Sequence, residues 1–426
     1  MRLYTLIARL LLPFALIRLW WRSRHDTDYA PRWAERLGYG EPIAGAPIWV
    51  HAVSVGETRA AAPLIRALLD EHPDAPLLIT TTTLTGATQV ALLFGDSVIH
   101  RFAPFDLPRP VARFLDRTRP RVAVILETEI WPQLFAALER RRIPLFLANV
   151  RLSERSCRRY RRIPRLIQKT LAVPAVIAAQ SAADAARLRT LGAPAAHIHV
   201  TGNMKFELSP TAGLREAAQA LKLAWGERPV WVAASTHQGE DDIILGAHKV
   251  LKEGFPRLLL VLVPRHPERF ESVGRLARAK GMAVVTRRAG PPVTDETEVL
   301  LGDTMGELML FFAAADCAFI GGSLVDAGGH NPLEALALGV PVVFGPHMFN
   351  FDEIARLTLE AGAGMRVVDE DGLIAAVRTY LGDARVRQAA STAGESLVRA
   401  HQGALQRTYA RLAPFLTRPA RISADP

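Results

Sequence analysis

From residue 47 onward, short apolar runs alternate with longer stretches in which apolar positions recur every three to four residues. Runs rich in Val, Ile and Leu at 48–52, 77–81, 98–102, 122–126, 145–150, 175–179 and 198–200 predict strands, and stretches such as 60–71 and 182–191 predict helices between them. A polar, Ala-rich segment follows, and the same pattern restarts with strands at 230–234, 258–263, 283–286, 298–301, 317–320 and 342–344. Strands alternating with helices imply parallel sheets covered on both faces. The fold class expected is therefore α/β, with two Rossmann-like, doubly wound domains. Their strand carboxyl ends are expected to face a shared cleft, because that edge is where open α/β sheets bind ligands. The expected layout is a first domain over 40–206, a linker over 207–228, a second domain over 229–385 and C-terminal helices over 386–418. The 426 residues exceed what one core usually holds, which agrees with two.

Residues 1–24 follow neither pattern. They are apolar but carry Arg2, Arg9, Arg18, Arg22 and Arg24, with Trp20 and Trp21 near the end. No small-residue cleavage site follows, which argues against a secretory signal. Arg9 interrupts the roughly 20 apolar residues that a span needs, while Trp favours the headgroup level. The segment is expected to be a membrane anchor, spanning or lying in the interface. A mean hydropathy of +0.12 excludes a protein with many spans.

A net charge of +10 favours an anionic partner. Basic residues crowd the stretch from Arg140 to Lys169, including Arg155, Arg158, Arg159, Arg161, Arg162 and Arg165. No aromatic platform or nucleic-acid motif accompanies them, so an anionic membrane surface is the expected partner and nucleic acid is not. Cys157 and Cys317 fit neither a disulfide framework nor a zinc spacing, which points to a reducing compartment.

Candidate chemistry sits where strands end. HAVSVGE ends the first strand and places Ser54, Gly56 and Glu57 at a helix start. There Glu57 could take a proton from an attacking hydroxyl, or merely form a capping box with Ser54. ETEIWP delivers Glu127 and Glu129 to one strand end, with Asn149, Arg151 and Ser153 of the next strand end as possible partners. Lys205, in GNMKFE, closes the first domain.

ASTHQGE repeats the layout of the first motif, with Ser235, Thr236 and Gly239 as phosphate donors and a weak metal reading for His237, Glu240 and Asp241. Arg265 and His266 leave another strand end, and an Arg fork suits a phosphate. GDTMGEL contributes Met305, Gly306 and Glu307. In GGSLVDAGGHNPLE, glycines precede Asn331, Pro332, Leu333 and Glu334. Asn331 reads as a helix cap with Pro332 first in the helix, and the free N–H groups there read as an anion well. The chain has no GxxxxGK[ST] loop, no GxGxxG after the first strand and no GxSxG elbow, which weakens kinase, dinucleotide and hydrolase readings.

In this order, the motifs HAVSVGE, ETEIWP, NVRLSERS, GNMKFE, ASTHQGE, VPRHPERF, GDTMGEL and GGSLVDAGGHNPLE resemble the Kdo transferase family of lipopolysaccharide core synthesis. The resemblance runs from the N-terminal segment to about residue 368. It implies the GT-B glycosyltransferase fold. It also implies inverting transfer of 3-deoxy-D-manno-octulosonic acid (Kdo) from CMP-Kdo to the lipid A precursor, lipid IVA, on the cytoplasmic side of a bacterial inner membrane. By motif, Glu57 resembles the family's general base, and Glu127 and Lys205 resemble its transition-state residues. Arg265, His266, Met305, Gly306, Glu307, Asn331, Pro332, Leu333 and Glu334 resemble its CMP site. No cofactor and no metal are expected. A GT-B transferase for another nucleotide sugar, or a non-catalytic lipid- or nucleotide-binding module, are the alternatives.

Overall fold

The computed structural model describes residues 2–25, 27–208, 213–288 and 290–417. The chain forms two compact units, Met1–Glu207 with Gln402–Pro426, and Leu208–His401.

The first unit is built on β1 (Ile48–His51), β2 (Leu77–Thr81), β3 (Ile99–Phe102), β4 (Val122–Leu126), β5 (Leu145–Val150), β6 (Val176–Ala179) and β7 (Ile198–Val200). They form one parallel sheet in the order β3-β2-β1-β4-β5-β6-β7. Alternation along the strands sends Trp49, Ala123, Ile125 and Leu147 into one core and Val50, Ile79, Val124 and Phe146 into the other, so helices cover both faces. The order reverses between β1 and β4, and the crevice at such a switch point is where ligands of open α/β sheets bind.

The second unit repeats the plan with β8 (Val230–Thr236), β9 (Leu259–Pro264), β10 (Val284–Thr286), β11 (Val299–Leu301), β12 (Cys317–Ile320), β13 (Val342–Phe344) and β14 (Gly364–Arg366). Its parallel order is β10-β11-β9-β8-β12-β13-β14, with a switch point between β8 and β12. Each central strand carries at its second position a buried tryptophan whose ring N–H is satisfied. Trp49 donates to Thr80 at 2.8 Å, and Trp231 to His248 at 3.1 Å.

Some expectations change. The short strand β14 carries no apolar run that would announce it. The segment expected as a linker holds the helix Leu214–Ala224, which buries Leu214 and Ala218 through its amphipathic pattern. The expected C-terminal helices divide between the units. Ala384–His401 belongs to the second, while Ala404–Leu416 returns to the first and buries Leu412 and Leu416 in its core.

Residues Arg2–His25 form one helix, and among the described residues no helix is long and apolar enough to cross a membrane. Its first turn docks on the first unit, where Tyr4 donates to Asp106 at 2.7 Å and Thr5 accepts from Gln133. Beyond that turn Leu6, Leu10, Phe14, Ile17 and Trp21 are exposed at helical spacing.

Candidate active site

Each switch point carries one of the two look-alike motifs. At the first, β1 runs into the helix Val55–Glu71, which places Glu57 in its first turn. Ser54 is the N-cap residue but its side chain caps nothing, and Glu57 accepts instead from the Val53 backbone N–H at 2.7 Å. Neither half of the capping box forms, because the Glu57 carboxylate reaches past Ser54 to the residue before the cap. One carboxylate oxygen is tied back to the strand end while the group stays half-buried.

β4 ends at Leu126, and Glu127 turns into the left-handed region at φ 55°. That turn breaks the strand alternation that was to set Glu127 and Glu129 on one face. A non-glycine residue held there costs about 1 kcal/mol and marks an over-determined site. The Glu127 N–H donates to the Ala148 carbonyl at 2.8 Å, and its carboxylate pairs with Lys205 Nζ at 2.9 Å. Glu129 accepts from Trp131 Nε1 at 2.6 Å, and Trp131 meets the buried His51 ring edge-on at 4.9 Å.

Of the partners expected for the two acids, Asn149 and Ser153 bond backbone N–H groups instead, Asn149 at Met204 and Ser153 as the cap of the helix Glu154–Tyr160, and the Arg151 carbonyl is taken by Thr128. Lys205 and Trp131 supply the contacts, one from 78 residues away and the other two residues on, and no spacing rule in the sequence marks either.

Electrostatics separate the acids. Burial, and next the charge of Glu127, push the Glu57 carboxyl up to about 8, against the Val53 N–H bond and Lys205, which lower it. Burial also raises Glu129. His51 is driven down to about 4 by burial and stays neutral, with Nδ1 2.8 Å from Thr80 Oγ1. Glu57 is therefore a carboxyl poised near neutral pH beside a fixed ion pair, which is what a general base requires.

At the second switch point the same motif has a different fate. Glu240 is fully buried, and its carboxylate accepts from the backbone N–H groups of His237, Gly322, Ser323 and Leu324 at 2.7–3.0 Å. The glycine loop does gather N–H donors, but the acceptor among them is the protein's own Glu240 carboxyl and not a ligand. Gly321 serves close packing rather than ligand approach, since a Cβ there would lie 2.4 Å from the Ser235 carbonyl oxygen. Asp241 accepts from Thr236 and pairs with Arg269. With both acids committed, the metal reading loses its ligands, and among the described residues no group of three or more His, Cys, Asp or Glu is placed to hold a metal ion.

The edge above this loop is basic and aromatic. His237 stacks on His330 with ring nitrogens 2.8 Å apart, and His266 meets His237 edge-on at 5.6 Å. Arg265 follows β9 and binds the Thr236 carbonyl through its N–H. His330 is the member that sequence reasoning passed over, although it stands next to Asn331.

The helix after the loop is only Leu333–Leu336, with Pro332 rather than Asn331 at the cap, and Asn331 accepts from the Leu333 N–H. Four residues give little dipole, so the helix-start anion well is not realised. Pro332 and Leu333 are buried, so a ligand reaches them through backbone only, while Glu334 is half-buried. Beyond β11, Met305 is exposed and Gly306 has φ 88°. Glu307 is gripped by the Arg287 fork at 2.7–3.2 Å, and that hydrogen bonding holds its carboxyl low.

Residues 31–208 match the model of the family described as 3-deoxy-D-manno-octulosonic-acid transferase (kdotransferase). A 3-deoxy-D-manno-octulosonic acid transferase of Haemophilus influenzae is 41% identical over 97% of this chain and 98% of its own. One from Bordetella pertussis is 38% identical over 97% and 99%. A UDP-GlcNAc 2-epimerase from Neisseria meningitidis shares the fold at 11% identity, covering 87% of this chain and all of that one with a TM-score of 0.55. The chain is a glycosyltransferase and belongs to the 3-deoxy-D-manno-octulosonic acid transferase family.

Proposed function

We propose that the protein transfers Kdo from CMP-Kdo to a sugar hydroxyl of the lipid A precursor lipid IVA, with inversion at the anomeric carbon. The observation that supports this most is Glu57, a half-buried carboxyl raised to about 8 beside the Glu127–Lys205 pair. Glu57 takes the acceptor hydroxyl proton as that oxygen bonds to the anomeric carbon. The bond from that carbon to the CMP phosphate breaks, and CMP leaves with the electron pair. Glu127 faces the oxocarbenium-like charge of the transition state, and Lys205 fixes the orientation of Glu127.

In the second unit Arg265 and His266, with His237 and His330 beside them, stabilise the departing phosphate. Glu334, Asn331, Glu307 and the Met305–Gly306 turn read the nucleoside, with Pro332 and Leu333 contributing backbone. The Arg265 guanidinium, with imidazole N–H donors beside it, takes the role that a metal would otherwise fill. Incubating the protein with lipid IVA and freshly generated CMP-Kdo in EDTA, followed by mass spectrometry of the lipid, tests the reading. A mass gain of one or more Kdo units supports it, and unchanged lipid overturns it.

The raised carboxyl gives a pH prediction. Base catalysis needs ionised Glu57, so kcat/KM rises with pH and levels off above about 8, and a profile flat between 6 and 9 contradicts the assignment. For stability the sign is opposite. The folded carboxyl holds its proton up to about 8 whereas the ordinary value is 4.5, so stability falls as pH rises through that window. Glu57→Gln removes this dependence, as denaturant unfolding at pH 5 and pH 8 will show.

We also assign the N-terminal helix to the inner-membrane interface, lying along it. Its exposed stripe Leu6, Leu10, Phe14, Ile17 and Trp21 gives an apolar face, and exposed Arg155, Arg158, Arg159, Arg161, Arg162 and Arg165 give the unit a basic one. Deleting residues 1–24 is expected to cut sedimentation with vesicles of anionic phospholipid at least tenfold. The full chain staying in the supernatant would refute the interface assignment.

A further inference from the structure

The Glu127–Lys205 pair depends on two segments that sequence places far apart, and one side chain joins them. Asn149 lies near the end of β5, fully buried, with φ 55°. The ladder between β5 and β6 is irregular there, with the register shifting between Leu147 and Val150. This conformation turns the Asn149 side chain out of the strand alternation. Its Oδ1 accepts from the Met204 N–H at 3.0 Å, and its carbonyl accepts from Gln180 Nε2 at 2.9 Å.

Met204 opens the short 3-10 turn Met204–Phe206, whose middle residue is Lys205. Met204 and Phe206 bury their side chains, so the turn stays docked whatever happens at Asn149. What Asn149 adds is registration. On the other side of the pair, the neighbouring residue Ala148 accepts from the Glu127 N–H. Two consecutive residues of β5 therefore hold both members of the ion pair, Glu127 through Ala148 and Lys205 through Asn149. Only a residue that tolerates the left-handed region and carries an acceptor one carbon beyond Cβ fits, and Asn combines both.

We propose that Asn149 is a positioning residue for the transfer step, setting the reach of Lys205 to Glu127 through the backbone of Met204. The proposal rests on the assignment of Glu127 and Lys205 made above. It extends that assignment to a residue that touches neither substrate nor the reacting atoms. Small displacements of a group that acts in the transition state cost rate far more than affinity, since the ground state does not use the contact fully.

The test uses the full chain with Asn149→Gly, which frees the backbone and removes the acceptor, and Asn149→Ser, whose hydroxyl falls short of Met204. Expected for both is a kcat 10- to 100-fold below wild type with KM for CMP-Kdo within about threefold. The rising limb of kcat/KM shifts upward, because a displaced Lys205 lowers the Glu57 carboxyl less while Glu127 and Glu129 still raise it. A purely structural role would lower the folded fraction and leave the limb in place. If either folded variant keeps wild-type kcat and limb, the proposal is overturned while the transfer reading stands. If the wild type moves no Kdo, the reading falls and takes the proposal with it.

Discussion

Glu57→Gln lowers turnover by about 10²–10⁴ and leaves CMP affinity within about twofold of wild type. The first figure is what removal of a positioned general base costs. Gln is close to isosteric and keeps a carbonyl oxygen for the Val53 N–H, so the helix start and the strand end stay as they are. What it lacks is a site that can accept a proton. Affinity for CMP survives because the residues assigned to the nucleotide, from Arg265 to Glu334, lie in the other unit. Single-turnover rates with CMP-Kdo and lipid IVA, together with calorimetric titration of CMP, check both halves. Turnover within tenfold of wild type would move the base elsewhere, and Glu129, also raised by burial, would be the next residue to substitute.

Two motifs that look alike in sequence show what could be read there and what could not. HAVSVGE and ASTHQGE both run from a strand through small residues to Gly-Glu at a helix start, and both lie at a switch point of their sheet. Periodicity finds the central strands because parallel strands buried on both faces are near-continuous apolar runs, and among the described residues it misses only β14, which has no such run. Strand ends then give the right neighbourhood for Glu57, Glu127, Arg265 and His266. The fate of each acid is decided by what comes across from distant segments. Glu57 finds one backbone N–H, two further carboxyls and Lys205, and with burial leading the balance its proton is held. Glu240 finds three N–H groups of the loop after β12, 82 to 84 residues on, besides that of His237, and is fully satisfied. The backbone turns at Glu127, Asn149 and Ser235, all non-glycine residues at φ 55–57°, are likewise invisible in sequence, because tertiary contacts impose them against local preference.

That contrast makes Glu240 the second large effect, one on stability and nucleotide affinity where that of Glu57 is on the chemical step. Its Oε2 accepts from His237 and Gly322, and its Oε1 from Ser323 and Leu324. In Glu240→Gln one oxygen keeps two donors, but an NH₂ faces the other two. In Glu240→Ala all four N–H groups lose their partner in a site with no exposure. Unsatisfied buried donors cost about 1–3 kcal/mol each, not additively, so losses of about 2 kcal/mol for Gln and about 4 kcal/mol for Ala are expected. Urea unfolding should show a lowered midpoint with an unchanged slope, in the order wild type, Gln, Ala. Amide hydrogen exchange at Gly322, Ser323 and Leu324 should accelerate ahead of the rest of the second unit, because the loop opens before the sheet does. His330 and Asn331 follow this loop, so CMP affinity should fall with its protection, whereas the kcat/KM limb at about 8 stays put because Glu57 is untouched. A Gln variant with wild-type stability and protection would show that the loop holds its shape without the carboxylate. The glycine well would then be open to a ligand anion after all.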